Sequence, residues 1–239
     1  TNIEGTQRTI QFASECDSSF ILASTSEVYG DPKVHPQPES YCGNVNTIGP
    51  RACYDEGKRV AETITSLYHQ RHHVKAIILR IFNTYGPRMQ PDDGRVVSNF
   101  IHNRLQGIPL QIHGDGTQTR SFQFVHDLVD AFLSAAFTVD WRQLQVVNVG
   151  CPDERSIDHF ADVIDWMLGS CSASCDTSCD GVHSTEYKAA DVDDPRRRKP
   201  DIQKAQELLK WTPKWSLEEG LAETIAFFKL NSVTVNRHI

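Results

Sequence analysis

Apolar positions along the chain alternate between two spacings, one typical of buried strands and one typical of helices. Short apolar runs at 19–24, 74–81 and 145–149 predict buried strands of the kind that parallel sheets contain. Longer segments at 3–15 and 52–70 carry apolar residues three and four apart, which predicts helices. A strand, a long crossover helix and a second strand form the repeating unit of a parallel sheet. The first half of the chain is therefore predicted to be α/β.

Shorter predicted elements, separated by turns, fill the second half of the chain. The pattern predicts strands at 109–113, 121–125 and 186–190, and helices at about 95–106, 126–138, 156–168, 201–210 and 216–229. Ser156 is expected to cap the helix that it precedes, since a serine side chain accepts a hydrogen bond from a free amide of the first turn. Gly114-Asp115-Gly116 is expected to be a hairpin turn, because it follows no strand–helix unit of the phosphate-binding kind.

Composition and charge argue against two classes of protein. Hydrophobic residues make up 39% and charged residues 23%, as in ordinary globular domains. General nucleic-acid binding needs clustered lysine and arginine, whereas the net charge is -7 and the dense basic run at 196–199 closely follows acidic residues at 191–194. No stretch approaches the roughly 20 apolar residues of a membrane span. We therefore expect a globular protein with no nucleic-acid partner.

The seven cysteines do not form the pattern of a disulfide-stabilised domain, because their number is odd and they are spread along the chain. Cys171, Cys175 and Cys179 lie in a segment rich in serine and aspartate at about 169–183. A zinc site is one interpretation of these three residues, but no fourth ligand is evident at a suitable spacing. We therefore expect a surface insertion at 169–183 and no bound metal.

A tyrosine and a lysine one helical turn apart are the first candidates for catalysis. Tyr54 and Lys58 lie in the predicted helix at 52–70, and side chains four residues apart share one face of a helix. A lysine ammonium stabilises a neighbouring phenolate and so lowers the tyrosine pKa from about 10 toward neutral pH. Tyr54 could then act as a general base toward a sugar hydroxyl. Such pairs also occur by chance on amphipathic helices, so the pair alone does not establish a function.

Polar residues follow two of the predicted strands. The strand at 19–24 leads into Ser-Thr-Ser-Glu at residues 24–27, and the strand at 74–81 leads into Asn83. Ligands of open α/β sheets bind beyond the carboxyl ends of the strands, which favours a binding site at this edge. The alternative interpretation is a turn rich in serine and threonine in which Glu27 caps a helix.

These segments, in this order, resemble the extended short-chain dehydrogenase/reductase superfamily, which contains NAD-dependent nucleotide-sugar epimerases, dehydratases and decarboxylases. Four longer motifs are similar to those of the UDP-glucuronate decarboxylase family: STSEVYGDP at 24–32, GPRACYDEGKR at 49–59, DGRVVSNF at 93–100 and RKPD at 198–201. The resemblance covers nearly the whole chain apart from the cysteine-rich segment. It implies a decarboxylase that oxidises C4 of UDP-glucuronate with NAD+, releases CO2 and reduces the product to UDP-xylose.

The resemblance also implies catalytic roles for five residues. Tyr54 would remove the proton of the 4-hydroxyl, Lys58 would lower the tyrosine pKa and hold the nicotinamide ribose, and Thr25 would hydrogen-bond to the same hydroxyl. Ser26 stands where dehydratases typically have an aspartate that protonates a departing hydroxide, which favours decarboxylation over dehydration. Glu27 is expected to position the sugar and to handle protons around C5.

Further residues are assigned to substrate and cofactor by the same resemblance. Arg198 matches the arginine of the Arg-Lys-Pro motif and is expected to act near the substrate carboxylate or the C4 oxygen, since a guanidinium suits a carboxylate. A solvated basic loop is the alternative interpretation of that run. The other expected substrate contacts are Tyr68, Asn83, Arg95 and Arg120. The expected NAD contacts are Thr1, Ala23, Ser24, Thr25, Tyr54, Lys58 and Thr84.

The implied fold is the C-terminal part of a Rossmann-like doubly wound parallel sheet with a smaller α/β substrate-binding subdomain. Residues 1–90 are expected to form a partial NAD-binding domain, and residues 91–239 mainly the UDP-sugar subdomain, with 121–150 returning to the sheet. The family's glycine-rich phosphate loop has no counterpart in this sequence. We therefore expect the N-terminal βαβ units to be absent, and we do not expect these residues alone to bind NAD tightly.

Two other functions remain open from the sequence alone. One is a nucleotide-sugar 4-epimerase or 4,6-dehydratase, and the other is a truncated, inactive paralogue that binds a UDP-sugar or a partner subunit. The resemblance implies a homodimer formed through helices that flank the sheet. It also implies a Golgi-lumenal location in animals, with a membrane anchor N-terminal to these residues, and a cytoplasmic location is the alternative.

Overall fold

The structure, a computed structural model, describes residues 1–91, 93–169, 184–190 and 194–235. Its helices are α1 (Asn2–Glu15), α2 (Ala52–His72), α3 (Val96–Leu105), α4 (Val125–Thr138), α5 (Ile157–Leu168), α6 (Gln203–Leu209) and α7 (Leu217–Val235), and a short 3-10 helix spans Ser26–Tyr29. Its strands are β1 (Phe20–Thr25), β2 (Ala76–Ile81), β3 (Thr84–Tyr85), β4 (Leu110–His113), β5 (Thr119–Ser121), β6 (Gln123–Phe124), β7 (Gln145–Val149), β8 (Glu154–Ser156), β9 (Thr185–Lys188) and β10 (Arg197–Arg198). The predicted helices and strands are confirmed to within a few residues, with two exceptions: the strand predicted at 121–125 is divided between β5 and β6, and α7 continues past the predicted end at 229 to Val235.

A sheet of three parallel strands, in the order β1-β2-β7, lies at the centre of the first layer. Leu22 of β1 is the register partner of Ile78 of β2, which in turn pairs with Val146 of β7. The sheet joins strands that are far apart in sequence, because α2 connects β1 to β2 and α4 precedes β7. This is the parallel α/β arrangement that the sequence pattern predicts.

Helices cover both faces of this sheet. On one face, Leu22 and Ile78 pack against Ala61 of α2. On the other face, Ile77 and Leu79 pack together with buried residues of α4 and α6. Successive side chains of a strand point to opposite faces, so a strand buried on both faces is apolar at nearly every position. The doubly wound fold therefore accounts for the unbroken apolar runs in the sequence.

A second layer contains α3, α5 and α7 together with short strands. Its core includes the buried residues Phe100, Ile101, Phe160, Ile164 and Leu221. The predicted cap of α5 is confirmed, since the Ser156 side chain accepts a hydrogen bond from the amide of His159 at 3.1 Å. The carboxyl edge of the central sheet opens toward this layer, and the two layers meet at the cavity described below.

The prediction of a hairpin at Gly114-Asp115-Gly116 is wrong. The two flanking strands lie in different sheets, because β4 pairs with β9 and β5 pairs with β8 and β10. The glycines do form a turn, and Gly116 has a φ of +78° and lies against the carboxylate of Asp158, where a Cβ would collide. Turn residues reveal that the chain reverses but not which strand pairs with which, since the partner β9 comes much later in the sequence.

Some sequence predictions concern residues that the structure does not describe. The expected insertion with Cys171, Cys175 and Cys179 lies almost wholly outside the described residues. Within the described ranges, no helix is long and apolar enough to cross a bilayer. Nor do three or more metal-ligating side chains come together in those ranges.

Candidate active site

A cavity of about 670 Å³ lies where the carboxyl ends of β1 and β2 face the second layer. The sheet contributes the residues that end these two strands, α2 contributes its first two turns, and α3, β4 and β10 close the far side. Its lining contains the following predicted site residues: Ala23, Ser24, Thr25, Ser26, Glu27, Tyr54, Lys58, Asn83, Thr84, Arg95, Arg120 and Arg198. Residues that the sequence assigns to catalysis, cofactor and substrate thus surround one space.

Tyr54 and Lys58 project from one face of α2 into this cavity. The lysine Nζ lies 5.9 Å from the centroid of the tyrosine ring, and Tyr54 is 45% exposed. Lys58 also donates a hydrogen bond of 2.9 Å to the carbonyl oxygen of Ala23, which places the ammonium at the end of β1. Burial lowers the pKa of Lys58 from its ordinary value. The geometry suits an ammonium that stabilises a phenolate at Tyr54.

The end of β1 turns at once into the short 3-10 helix. The hydroxyl of Thr25 accepts a hydrogen bond from the amide of Glu27 at 3.2 Å and so caps this helix. Gly30 ends the helix with a φ of +62°, and a Cβ there would collide with the carbonyl of Asn44. The tight turn buries Ser26 and directs the Glu27 carboxylate to Arg51 and Arg198. The alternative interpretation of Glu27 as a helix cap is wrong, because Thr25 performs that role.

Two arginines hold the carboxylate of Glu27. Arg198 binds it through both terminal nitrogens, with Nη1 to Oε1 at 2.6 Å and Nη2 to Oε2 at 2.9 Å. Arg51 binds the same Oε1 at 2.8 Å. Burial alone raises the pKa of Glu27, but the positive charges of Arg198 and Arg51 outweigh burial and hold the pKa below its usual range. Glu27 is therefore an ionised carboxylate in this arrangement.

Arg51 and Asp55 are functional candidates that sequence reasoning missed. Arg51 directly precedes α2, one turn before Tyr54, and Asp55 follows Tyr54 in the helix. The Asp55 carboxyl is buried, and its Oδ1 has no hydrogen-bond partner among the described residues. Burial raises its pKa to about 6, and the negative charge of Glu27 contributes in the same direction. The GPRACYDEGK motif contained both residues, but spacing along one helix does not show that their side chains reach a glutamate of another segment.

Two of the arginines expected to contact the substrate, Arg95 and Arg120, differ in how strongly other side chains bind them. Arg120 is buried and donates to Asp194 at 2.6 Å, and burial lowers its pKa. Arg95 lies at the start of α3, and its Nε approaches Asp93 at 3.4 Å. Both side chains line the cavity, as does Asn83. Their contacts with a substrate remain predictions.

Ser24 and Arg80 belong to a network beneath the cavity. The Ser24 hydroxyl donates to Glu62 of α2 at 2.5 Å, and Arg80 of β2 binds both oxygens of the same carboxylate at 3.0 and 2.7 Å. Arg80 also donates to the hydroxyl of Tyr29 at 3.0 Å. This network fixes α2 against the ends of β1 and β2. It thereby sets the height above the sheet of the helix that carries Tyr54 and Lys58.

The structure does not bring Tyr68 and Thr1 to the cavity. Tyr68 follows Tyr54 by about 21 Å along α2, at 1.5 Å per residue, and its ring contacts His72 instead. Thr1 is exposed and precedes α1, outside the residues that line the cavity. The placement of Tyr68 in the pocket is wrong because a straight helix carries residues near its end away from a site at its beginning.

Comparison with known proteins places the chain among nucleotide-sugar enzymes. The sequence profile of the GDP-mannose 4,6 dehydratase family matches residues 1–224. The chain is 48% identical over 229 residues to UDP-glucuronic acid decarboxylase 1 of Xenopus tropicalis, covering 96% of this chain and 51% of the relative. It is 48% identical over 223 residues to UDP-glucuronic acid decarboxylase 3 of Arabidopsis thaliana, covering 92% and 60%. The chain thus spans about half to three fifths of the length of these curated relatives.

Solved structures share the fold. A UDP-glucuronic acid 4-epimerase from Bacillus cereus, in complex with UDP-glucuronic acid and NAD, matches with a TM-score of 0.84 at 28% identity, over 97% of this chain and 68% of that one. A UDP-glucose 4-epimerase from Thermotoga maritima, with UDP-glucose, matches with a TM-score of 0.85 at 29% identity, over 97% and 70%. The doubly wound α/β fold expected from the sequence is confirmed.

Proposed function

Since this chain belongs to the GDP-mannose 4,6 dehydratase family, we propose that it carries the catalytic residues of an NAD-dependent UDP-glucuronate decarboxylase. The observation that carries the proposal is the convergence of Tyr54, Lys58, Glu27 and Arg198 on one cavity. A base for a sugar hydroxyl and a guanidinium suited to a carboxylate are the two groups that oxidation and decarboxylation of a uronate require. The similarity to curated UDP-glucuronic acid decarboxylases supports the same substrate.

The first step removes the hydrogen atoms of the C4 carbinol. Tyr54 accepts the proton of the 4-hydroxyl, Lys58 stabilises the phenolate, and Thr25 hydrogen-bonds to the same oxygen. When bound, NAD+ supplies the hydride acceptor at C4 and returns the hydride at the end of the cycle. The resulting ketone lies β to the C5 carboxylate, so the electrons of the breaking C–C bond can move into an enolate.

The second step releases CO2 and the third reduces the ketone. As CO2 leaves, Tyr54, now a phenol, donates a hydrogen bond to the developing oxyanion at C4. C5 takes up one proton, and we propose that Glu27 transfers it. Tyr54 would then return its proton to the C4 oxygen as the ketone is reduced to UDP-xylose. The overall reaction consumes one proton and releases one CO2.

The residues present fit one end of the cofactor. Lys58 is anchored at the end of β1 through Ala23, beside Tyr54, and Thr84 at the start of β3 lines the same cavity. These groups suit the nicotinamide and its ribose. The sequence contains no Gly-x-Gly-x-x-Gly turn after a strand, the element that cradles the pyrophosphate. Full NAD binding is therefore proposed only for the full-length protein.

Mass spectrometry of the products tests this proposal. Full-length protein is incubated with NAD+ and UDP-glucuronate labelled with 13C at the carboxyl group, and labelled CO2 and UDP-xylose are measured. We expect equal amounts of both, and at least a 100-fold lower rate for Tyr54→Phe, in line with the roughly 10²–10⁴-fold contribution of a general base. Binding of UDP-glucuronate and NAD+ without turnover would contradict the proposal and support an inactive binding protein.

A second candidate is UDP-glucuronate 4-epimerisation, which the fold similarity to the Bacillus cereus 4-epimerase favours. Both reactions begin with oxidation at C4, and they diverge in whether CO2 leaves before the ketone is reduced. Formation of UDP-galacturonate with retained label would favour the epimerase. Ser26 in place of a dehydratase aspartate argues against a 4-keto-6-deoxy product.

We also propose a homodimer formed through the outer face of α1 and α2. Three apolar side chains of these helices, Phe12 of α1 and Val60 and Leu67 of α2, are exposed in the single chain. Exposed apolar side chains on adjacent helices favour association. Analytical ultracentrifugation of wild type and Phe12→Asp tests this, since the introduced charge should weaken the dimer. If Phe12→Asp remains a dimer, the interface lies elsewhere.

A further inference from the structure

One carboxylate is shared by two arginines that come from distant segments. Glu27 lies in the 3-10 helix after β1, Arg198 lies in β10, and Arg51 lies at the start of α2. We call these three residues the Glu27 clamp. Both arginines contact Oε1, whereas only Arg198 also contacts Oε2. The carboxylate therefore has a stronger partner, Arg198, and a single additional contact from Arg51.

The Glu27 clamp faces the cavity. All three residues line it, and the Nε–H groups of Arg51 and Arg198 are buried without a hydrogen-bond partner among the described residues. The terminal nitrogens of Arg198 are engaged by Glu27 and its Nε is buried, so a second carboxylate that enters the cavity must compete with Glu27 for the terminal nitrogens. Competition between two carboxylates for Arg198 is the chemical consequence.

We propose that Arg51 is a positioning residue, which holds the Glu27 carboxylate in place when the carboxylate of a uronate substrate draws Arg198 away. This inference rests on the proposed function, because it requires an anionic sugar. After the exchange, Arg198 binds the substrate and Arg51 alone binds Glu27. The exchange frees one glutamate to change its protonation state without releasing it from its position near the sugar.

The surrounding charges determine the direction of that change. Burial raises the pKa of Glu27 and the two arginines lower it, so loss of Arg198 shifts the balance upward. The facing groups are Asp55 on α2, which disfavours the ionised glutamate, and Arg120 on β5, which favours it and is paired with Asp194. Glu27 can then take up a proton at a higher pH than in the free protein, as proton delivery to C5 requires.

Ligands that differ by one carboxylate test the exchange directly. The δ-carboxyl 13C resonance of Glu27, identified by its loss in Glu27→Gln, is titrated in the full-length protein with NAD+. UDP-xylose is the matched control, since it is the same sugar without the carboxyl group. In Tyr54→Phe, which slows turnover, we expect UDP-glucuronate to raise the Glu27 pKa by at least about one unit and UDP-xylose to leave it unchanged. Equal effects of the two ligands would overturn the proposal.

The pH dependence of kcat tests the role of Arg51. We expect Arg51→Met to move the limb that disappears in Glu27→Gln to higher pH by about one unit, with less than a threefold change in KM. Arg51→Lys should move it less, since it retains the charge. In the Glu27→Gln background, Arg51→Met should leave the remaining profile unmoved. A uniform loss of kcat at every pH, or a raised KM with an unmoved profile, contradicts a positioning role.

Failure of this inference is distinguishable from failure of the proposed function. If the wild type binds UDP-glucuronate but forms no CO2, the function is wrong while the titration with the two ligands still tests the exchange. If the protein binds UDP-glucuronate and releases CO2 but the pKa of Glu27 does not change, only the inference about the exchange of Arg198 is wrong. Absence of UDP-glucuronate binding would contradict both.

Discussion

Two buried arginine–carboxylate pairs in this molecule have nearly the same geometry and different surroundings. Arg104 of α3 binds both oxygens of Asp165 of α5, at 2.5 and 2.8 Å, and its third nitrogen donates to the carbonyl of Ser184 at 3.1 Å. Arg198 binds both oxygens of Glu27 at similar distances, but its Nε has no partner among the described residues. The first pair joins two helices, whereas the second faces a cavity.

The difference shows that pair geometry does not distinguish an ion pair between helices from one that faces the candidate active site. The side chains of Arg104 and Arg198 are only 1% and 5% exposed, so burial does not distinguish them either. What distinguishes them is hydrogen bonding: every nitrogen of Arg104 is bonded, whereas the Nε of Arg198 has no partner among the described residues. Glu27 also contacts a second arginine, Arg51, at the wall of the cavity. A pair with unused donors beside a cavity can exchange partners, and a fully bonded pair between helices cannot.

The largest effect on stability is expected from breaking the pair between the helices. Arg104→Met leaves Asp165 buried and unpaired, which should lower the free energy of unfolding by about 3–5 kcal/mol. The rate per folded molecule should stay within about twofold, because Arg104 does not line the cavity. Urea unfolding and assays of the folded fraction measure the two quantities.

A double variant is the control for this prediction. Arg104→Met with Asp165→Leu replaces both charges by apolar groups, and most of the lost stability should return, since no unpaired charge then remains. If the double variant is as unstable as the single one, the loss comes from packing and the contrast between the two pairs does not hold.

For Arg198→Met we expect a large loss of activity and a small loss of stability, the reverse of what we expect for Arg104→Met. Under the proposed function, kcat/KM for UDP-glucuronate should fall by about 10²–10³-fold, as it does when one group that stabilises developing charge is removed. Stability should fall by less than about 2 kcal/mol, because Arg51 still contacts Glu27 and water can enter the cavity. Steady-state kinetics and urea unfolding of the same preparation test the prediction. A loss of stability as large as that of Arg104→Met, with activity retained, would contradict it.

The sequence predicts the elements of this fold well and their side-chain partners poorly. The runs at 19–24 and 74–81 are apolar at nearly every position because both faces of their strands are buried, so their burial is visible without coordinates. The pairing of β4 with β9 is not visible, because strand partners distant in sequence leave no local pattern. In the same way, the motif at 49–59 contains Arg51, but only the turn at Gly30 and the position of β10 bring Glu27 and Arg198 to it.

Three residues of α2 show the same limit to predicting side-chain positions from the sequence. Tyr54 and Lys58 could be placed together because four residues separate them, and the structure keeps them on one face. The resemblance assigns Tyr68 to the same pocket, although nearly four turns of helix separate it from Tyr54. Helical periodicity therefore predicts which side chains lie close together within one or two turns. Over longer distances the tertiary structure is needed.

Asp55 should make the stability of the fold depend on pH. Its pKa is about 6 in the folded protein and near 3.8 in the unfolded chain, because burial and Glu27 disfavour the charged form. Between these values the folded state binds more protons than the unfolded state, so stability falls as pH rises. From pH 4 to pH 7 the wild type should lose about 1–2 kcal/mol more than Asp55→Asn, the full shift being reduced by solvent screening.

Urea unfolding of both proteins at several pH values measures this difference. The comparison with Asp55→Asn separates Asp55 from Glu27, whose lowered pKa acts in the opposite direction in both proteins. Parallel stability curves for the two proteins would mean that Asp55 ionises normally. In that case Asp55 would not interact with the carboxylate of the Glu27 clamp.

The smallest effect is expected at the helix that carries Asp165. Ser156→Ala removes the side-chain acceptor for the amide of His159 at the start of α5, which should lower the free energy of unfolding by about 1 kcal/mol. Ser156→Asp should restore most of it, since aspartate also caps helices and its charge suits a helix N-terminus. The limbs of the kcat profile assigned to Glu27 should stay in place in both variants, because the cap lies in the layer that supports the Arg104 pair. A shift of those limbs in Ser156→Ala would show that the two ion pairs are coupled through α5, and the division between a structural and an exchangeable pair would then be wrong.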